Sequence, residues 1–238
     1  MLIVLINHYL NILKEKDKKM KKIILITGYD RCGKDYVTNK LKNIFDADVF
    51  RFADELKLFI TKLFNIDLET LDKKKNNGDG LVIDNGINKE KMSYRKLLNV
   101  VGTALRETFG DNFFARSIVN KIETSEKEFI ILSDTRFLIE VETIKDYAKK
   151  NKYDIIIVKI ESDLDICGSN GFKYEVPKIE TDLVFINTTK DKEKFNRGFN
   201  CFVDKMSSRL NVSNPLKEPN KVNEAIFRFI NKRFMHRE

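Results

Sequence analysis

Apolar residues along the chain fall into short continuous runs that alternate with stretches of helical spacing. Residues 21–28, Lys-Lys-Ile-Ile-Leu-Ile-Thr-Gly, are a largely apolar, β-branched run ending in glycine. Such a run reads as a strand buried on both faces of a parallel sheet. Val37, Leu41, Ile44 and Phe45 follow at the spacing of one helix face, which predicts a helix over 34–45. The alternation then repeats, with a strand at 47–54 and a helix at 55–64. From 93 to 122 the helical period is long, and Gly110-Asp111 divide it into two helices. Further strands are predicted at 128–134, 153–160 and 182–188, and further helices at 139–150, 191–209 and 221–234. Strands alternating with helices make βαβ units, so the fold class is α/β with a parallel sheet flanked by helices.

Between these elements the pattern weakens. Residues 72–90 hold three glycines and little periodicity, and we expect a mobile loop on the substrate side. Residues 162–181 form a second Gly-bearing loop, which we expect to act as a lid. The first 19 residues begin apolar but lack a basic start and a small-residue cleavage site, and the apolar run is too short to span a bilayer. Met20 opens a complete first strand, so 1–19 is read as an extension and 20–238 as one domain without internal repeats.

Composition narrows the class without naming it. The chain is 42% hydrophobic and 34% charged, with a formal net charge of +8. Lysine outnumbers arginine 33 to 11, which fits a solvated lysine-rich surface better than a concentrated polyanion site. No basic strand is interleaved with aromatics, so the 18 phenylalanines are assigned to the core and no stable nucleic-acid binding is expected. Cys32, Cys167 and Cys201 are odd in number and show no C-x-x-C spacing. This argues for a reducing, cytoplasmic setting and against a disulfide framework or zinc cluster. With histidine confined to His8 and His236, a histidine triad has almost no material. No membrane partner is expected, and a homodimer is left open.

Candidate chemistry begins at residues 28–35, Gly-Tyr-Asp-Arg-Cys-Gly-Lys-Asp. This is the spacing of the phosphate-binding loop G-x-x-x-x-G-K-[ST], with Asp35 in place of the final hydroxyl. It lies between a predicted strand and a predicted helix, the context that the motif requires. Gly28 and Gly33 let the backbone wrap phosphates, with Arg31 and Cys32 between them, and the helix N-terminus supplies partial positive charge. Lys34 is placed to reach the β- and γ-phosphates of ATP. Arg31 is either an extra clamp or a surface arginine.

Two further signals follow. Phe129 to Asp134 is an apolar strand ending in an acid, a candidate metal-side carboxylate at a strand's carboxyl end, and Arg136 follows two residues later. Arg95, Arg106 and Arg116 lie within 93–118, although arginine is scarce elsewhere. Arg95 and Arg106 are eleven residues apart, close to three helical turns, and project from nearly one face. They either grip a substrate phosphate or solvate the helix.

Together, "GYDRCGKDYVTNKL", "VFRFADELK", "YRKLLNVVGTALRETFGDNFFARSI" and "FIILSDTRFLIEVETIK" resemble the deoxynucleoside monophosphate kinases of tailed bacteriophages, in the same order from about Lys22 to Asn187. The start "GKDYVT" and "SDTR" are also similar to the phosphomevalonate kinases of animals. The resemblance implies a P-loop nucleoside-monophosphate-kinase fold with five parallel strands and a lid, and ATP-dependent transfer to the phosphate of a deoxynucleoside monophosphate. The alternatives are a phosphomevalonate-type acceptor, or a non-catalytic nucleotide- or DNA-binding module. The resemblance further implies Mg²⁺ held by Asp35 and Asp134. It gives the acceptor phosphate to Lys57, Arg95, Arg106 and Arg136, with Glu140 orienting Arg136, and puts Tyr36 at the start of the helix beside the nucleotide. The stretch 173–182 departs from the family pattern, leaving Lys173, Lys178 and Glu180 as substitutes in the lid.

Overall fold

The computed structural model describes residues 20–84, 89–163, 175–188 and 191–217. Strand β1 (Lys22–Thr27) is buried at every residue because it is the middle of five parallel strands. It is flanked by β5 (Phe129–Thr135) and β6 (Asp154–Ser162), with β2 (Asp48–Arg51) and β7 (Leu183–Asn187) at the edges. The order across the sheet is β2-β5-β1-β6-β7.

The pleat sorts β1 between two apolar layers. Ile23 and Leu25 join Ile130 and Leu132 beneath α2 (Asp54–Phe64), α4 (Tyr94–Phe109), α5 (Phe113–Thr124) and α6 (Leu138–Asn151). Ile24 and Ile26 join Ile131, Ile156 and Val158 beneath α1 (Lys34–Phe45) and α7 (Lys192–Arg209). Burying each such side chain stabilises by about 1.5–3 kcal/mol, so the central strand anchors the sheet from which the site is built. No helix among the described residues is long and apolar enough to cross a membrane.

One loop expectation is corrected. Residues 72–90 are not an unstructured loop: α3 spans Leu68–Asn77, and β3 (Gly80–Asp84) pairs antiparallel with β4 (Lys89–Ser93). Asp67 caps α3 by accepting from the Thr70 N–H, and Gly78 ends it in the left-handed region. Helix α3 buries only Leu71, so it has no apolar stripe to read. In the hairpin Leu81 faces Met92, and both pack on the core while Val82 is exposed.

The stretch 162–181 is described only at its two ends. Ser162 ends β6, and Val176–Lys178 form a 3₁₀ turn whose Val176 is buried, as is Ile179 just after it. The carboxyl end of this stretch is thus packed structure. Its middle, with Lys173, lies outside the described residues, as do 1–19 and the helix expected at 221–234.

Candidate phosphate-transfer site

The site forms where β1 and β5 end, the usual place for ligands in a parallel sheet. After Thr27 the chain turns through Gly28, whose φ is 148°. A Cβ there would lie 2.4 Å from the Ile160 carbonyl oxygen and 2.9 Å from Cys32 Sγ, so only glycine lets the loop lie on β6. The loop closes at Gly33, φ 88°, which is the N-cap of α1 and offers no side-chain acceptor to the first-turn N–H groups. Those N–H groups and the helix dipole together suit an anion.

Lys34 is buried, and its ammonium donates to the carbonyls of Gly28 (2.9 Å) and Tyr29 (2.7 Å). It also lies 3.8 Å from Asp134 Oδ1. The cation is thus already folded over the loop it serves. Cys32 is only 1% exposed and packs in the α1/α7 layer, so it can meet a phosphate only through its main chain. Arg31 is exposed and adopts φ 65°.

The β1–β5 register shifts between Leu25 and Thr27, where Leu25 pairs with Leu132 but Thr27 pairs with Thr135. The extra residue makes a bulge, and within it Asp134 takes φ 68°, a costly conformation for a non-glycine residue. The Thr27 hydroxyl pins the bulge by donating to the Thr135 carbonyl at 2.8 Å. The bulge turns Asp134 toward Lys34 and Arg136 together. Arg136 Nε donates to Asp134 Oδ1 at 2.9 Å, and its Nη2 lies 2.8 Å from Oδ2, a two-pronged pair.

Asp30, inside the phosphate loop, gathers the arginines. Arg136 Nη2 donates to it at 3.3 Å, and Arg95 Nη1 lies 3.9 Å from its other oxygen. The sequence reading missed Asp30, although an acid in a phosphate loop needs nearby cations and is a signal in itself. Arg106 lies over the rings of Phe137 (4.4 Å) and Phe114 (4.9 Å) and 3.8 Å from Glu140 Oε1. Arg95 and Arg136 therefore meet at the loop through Asp30, while Arg106 stands at Glu140 and Phe137, next to Arg136 in the chain. Arg116 is not among them: it caps the end of α4 by donating to the Phe109 carbonyl at 2.7 Å.

Glu140 needs a correction of role. Its Oε2 accepts from the main-chain N–H groups of Arg136 (2.8 Å) and Phe137 (3.1 Å), capping α6, so it fixes the backbone of Arg136. The guanidinium itself is set by Asp134 and Asp30. Burial pushes the Glu140 carboxyl up to about 7, against the lowering effect of those N–H groups and Arg106. Glu175, from the 3₁₀ stretch, adds a second carboxylate by accepting from the Leu138 N–H at 2.9 Å.

On the β2 side, Asp35 is highly exposed and its Oδ1 lies 3.3 Å from Arg51 Nη2, another residue that the sequence reading passed over. Lys57 lies 3.0 Å from Asp72, which the helix α3 presents to it. Tyr36 is half exposed, with its ring 5.2 Å from Phe195 and Lys40 above it.

The donor set fits Mg²⁺-ATP: a glycine cradle, an N-terminal anion site, a loop lysine and two carboxylates. No group of three or more His, Cys, Asp or Glu that could hold a metal ion occurs among the described residues. Asp35 and Asp134 are each already paired with an arginine, Arg51 and Arg136.

The phosphomevalonate kinase family model matches residues 26–151, just over half of the chain and nearly all of this geometry. The chain belongs to the phosphomevalonate kinase family. It is a kinase of that family, and the matched stretch includes the loop, the arginines and Glu140. No curated protein sequence matches the chain. Among solved structures it is similar to the APS kinase CysC of Mycobacterium tuberculosis, at 11% identity and a TM-score of 0.35 over 78% of this chain and 96% of that one.

Proposed function

We propose that the chain transfers the γ-phosphoryl group of Mg²⁺-ATP to the phosphate of a deoxynucleoside monophosphate. The observation that supports phosphate-to-phosphate transfer is the meeting of Arg95 and Arg136 at Asp30 in the loop that holds Lys34, with Arg106 held at Glu140 behind Arg136. A bound phosphomonoester needs no general base, because its oxyanion is already nucleophilic near neutral pH. Its oxygen attacks the γ-phosphorus in line as the bond to the ADP oxygen breaks. Lys34 follows the charge on the transferred group, while the arginines hold the acceptor at attack distance. Mg²⁺, when bound, neutralises charge across the β- and γ-phosphates.

The nucleotide acceptor is supported by the segments "LLNVVGTALR" and "DTRFLIE". The family match favours a second reading, with phosphomevalonate as acceptor. One assay separates the two: purified protein with Mg²⁺-ATP against each deoxynucleoside monophosphate and phosphomevalonate. We expect ADP release with at least one deoxynucleotide. Release with phosphomevalonate alone establishes the second reading, and release with none removes both.

A further inference from the structure

Asn187 ends β7, beyond the stretch matched by the family model and outside every motif read from the sequence. It is 2% exposed and its Nδ2 donates to the Cys32 carbonyl at 3.1 Å, across 155 residues of chain. The same Nδ2 lies 2.0 Å from where a Cβ on Gly33 would stand, with Cγ at 3.2 Å, so the amide nitrogen occupies the space a side chain at 33 would need. Its Oδ1 is buried and has no hydrogen-bond partner. A buried amide that satisfies only one side is costly, and it persists where the surrounding structure gains from its position.

From this contact we infer that Asn187 is a positioning residue for the donor phosphates: it braces the Cys32–Gly33 turn from behind and holds the first N–H groups of α1 in their anion-binding geometry. Two consequences follow from the contact. Position 33 must be glycine for reasons beyond its φ of 88°, since any side chain there meets Asn187. The edge strand β7 also becomes part of the phosphate site, although Leu183 and Phe185 on the same face pack into the apolar layer, Phe185 against Phe195 and Phe202 of α7. Donor affinity therefore depends on β7, whereas acceptor affinity, set by Arg95, Arg106 and Arg136 on the β5 side, does not.

This inference rests on the kinase reading, and its test uses donor binding so that the two can fail separately. Fluorescent ATP analogue binding and steady-state KM values would be measured for wild type, Asn187→Ala, Asn187→Asp and Phe185→Leu. We expect Asn187→Ala to weaken donor binding and raise the ATP KM about tenfold or more, with the acceptor KM within twofold. Phe185→Leu, which perturbs the same strand face without touching the loop, serves as the stability control. It should lower the thermal midpoint while leaving donor affinity within twofold. A double-mutant cycle of Gly33→Ala with Asn187→Ala should be non-additive, because the clash exists only when both side chains are present.

Unchanged donor affinity in Asn187→Ala, equal losses in Asn187→Ala and Phe185→Leu, or an additive cycle would each overturn the inference. Wild-type protein that binds the ATP analogue but phosphorylates no deoxynucleotide refutes the acceptor reading alone. Wild-type protein that binds no nucleotide refutes both.

Discussion

Glu140 shows how much of this site is set by single residues. Its carboxylate is 3% exposed, caps the α6 backbone at Arg136 and Phe137, and faces Arg106 at 3.8 Å. Burial raises its pKa from 4.5 to about 7. Below about 4.5 the group is protonated in both folded and unfolded chains and adds no pH dependence. Between there and about 7 the unfolded chain ionises first, so this group makes stability fall as pH rises, levelling above the folded value. Glu140→Gln should flatten the dependence of the thermal midpoint over that window, as measured by melting at several pH values. Lys34→Met should reduce turnover by about 10²-fold or more in a steady-state assay, and should also lower the melting midpoint, because the Gly28 and Tyr29 carbonyls lose their donor. Arg106→Lys should raise the acceptor KM more than the ATP KM, since an ammonium cannot reproduce the flat stack on Phe114 and Phe137.

At the scale of elements, α4 carries Arg95 and Arg106 and is seated by Gly102, where an added Cβ would lie 3.1 Å from Leu56 on α2. Gly102→Val should therefore cost about 1–3 kcal/mol in urea unfolding by overpacking. It should also raise the acceptor KM, because the helix that bears the arginines must shift. Helix α3 tests a different device. Asp67→Ala removes its N-cap and should lower the urea midpoint. The helix presenting Asp72 to Lys57 was not legible in the sequence because a single buried leucine leaves no period to find. By contrast, α1 and the break at Gly110 were legible, since their apolar stripes and turn residues agree with the tertiary fold.

For the whole molecule, the +8 charge and the phosphate loop make opposed predictions. A nucleotide site binds the folded state alone, so Mg²⁺-ATP at 100 times its Kd should stabilise by about 2.7 kcal/mol, seen as a raised thermal midpoint. Duplex DNA at the same mass concentration should give no such shift, and any retention on DNA should vanish with added salt.

The sequence by itself determined what depends on neighbours in the chain: the glycine loop, the lysine that follows it, the strand–helix alternation and the rank of arginines on α4. These are local because backbone torsion and helical period are local. Only the tertiary structure decided which groups meet. The one-residue slip between β1 and β5 turns Asp134 toward Lys34, and the loop acid Asp30 draws two arginines from distant segments. Asn187 reaches Cys32 across the sheet, and Glu140 is pushed up by burial that no local pattern encodes. Register, desolvation and long-range ion pairing arise only once the layers pack, and they gather Asp134, Arg136 and Arg95 around a phosphate-loop motif.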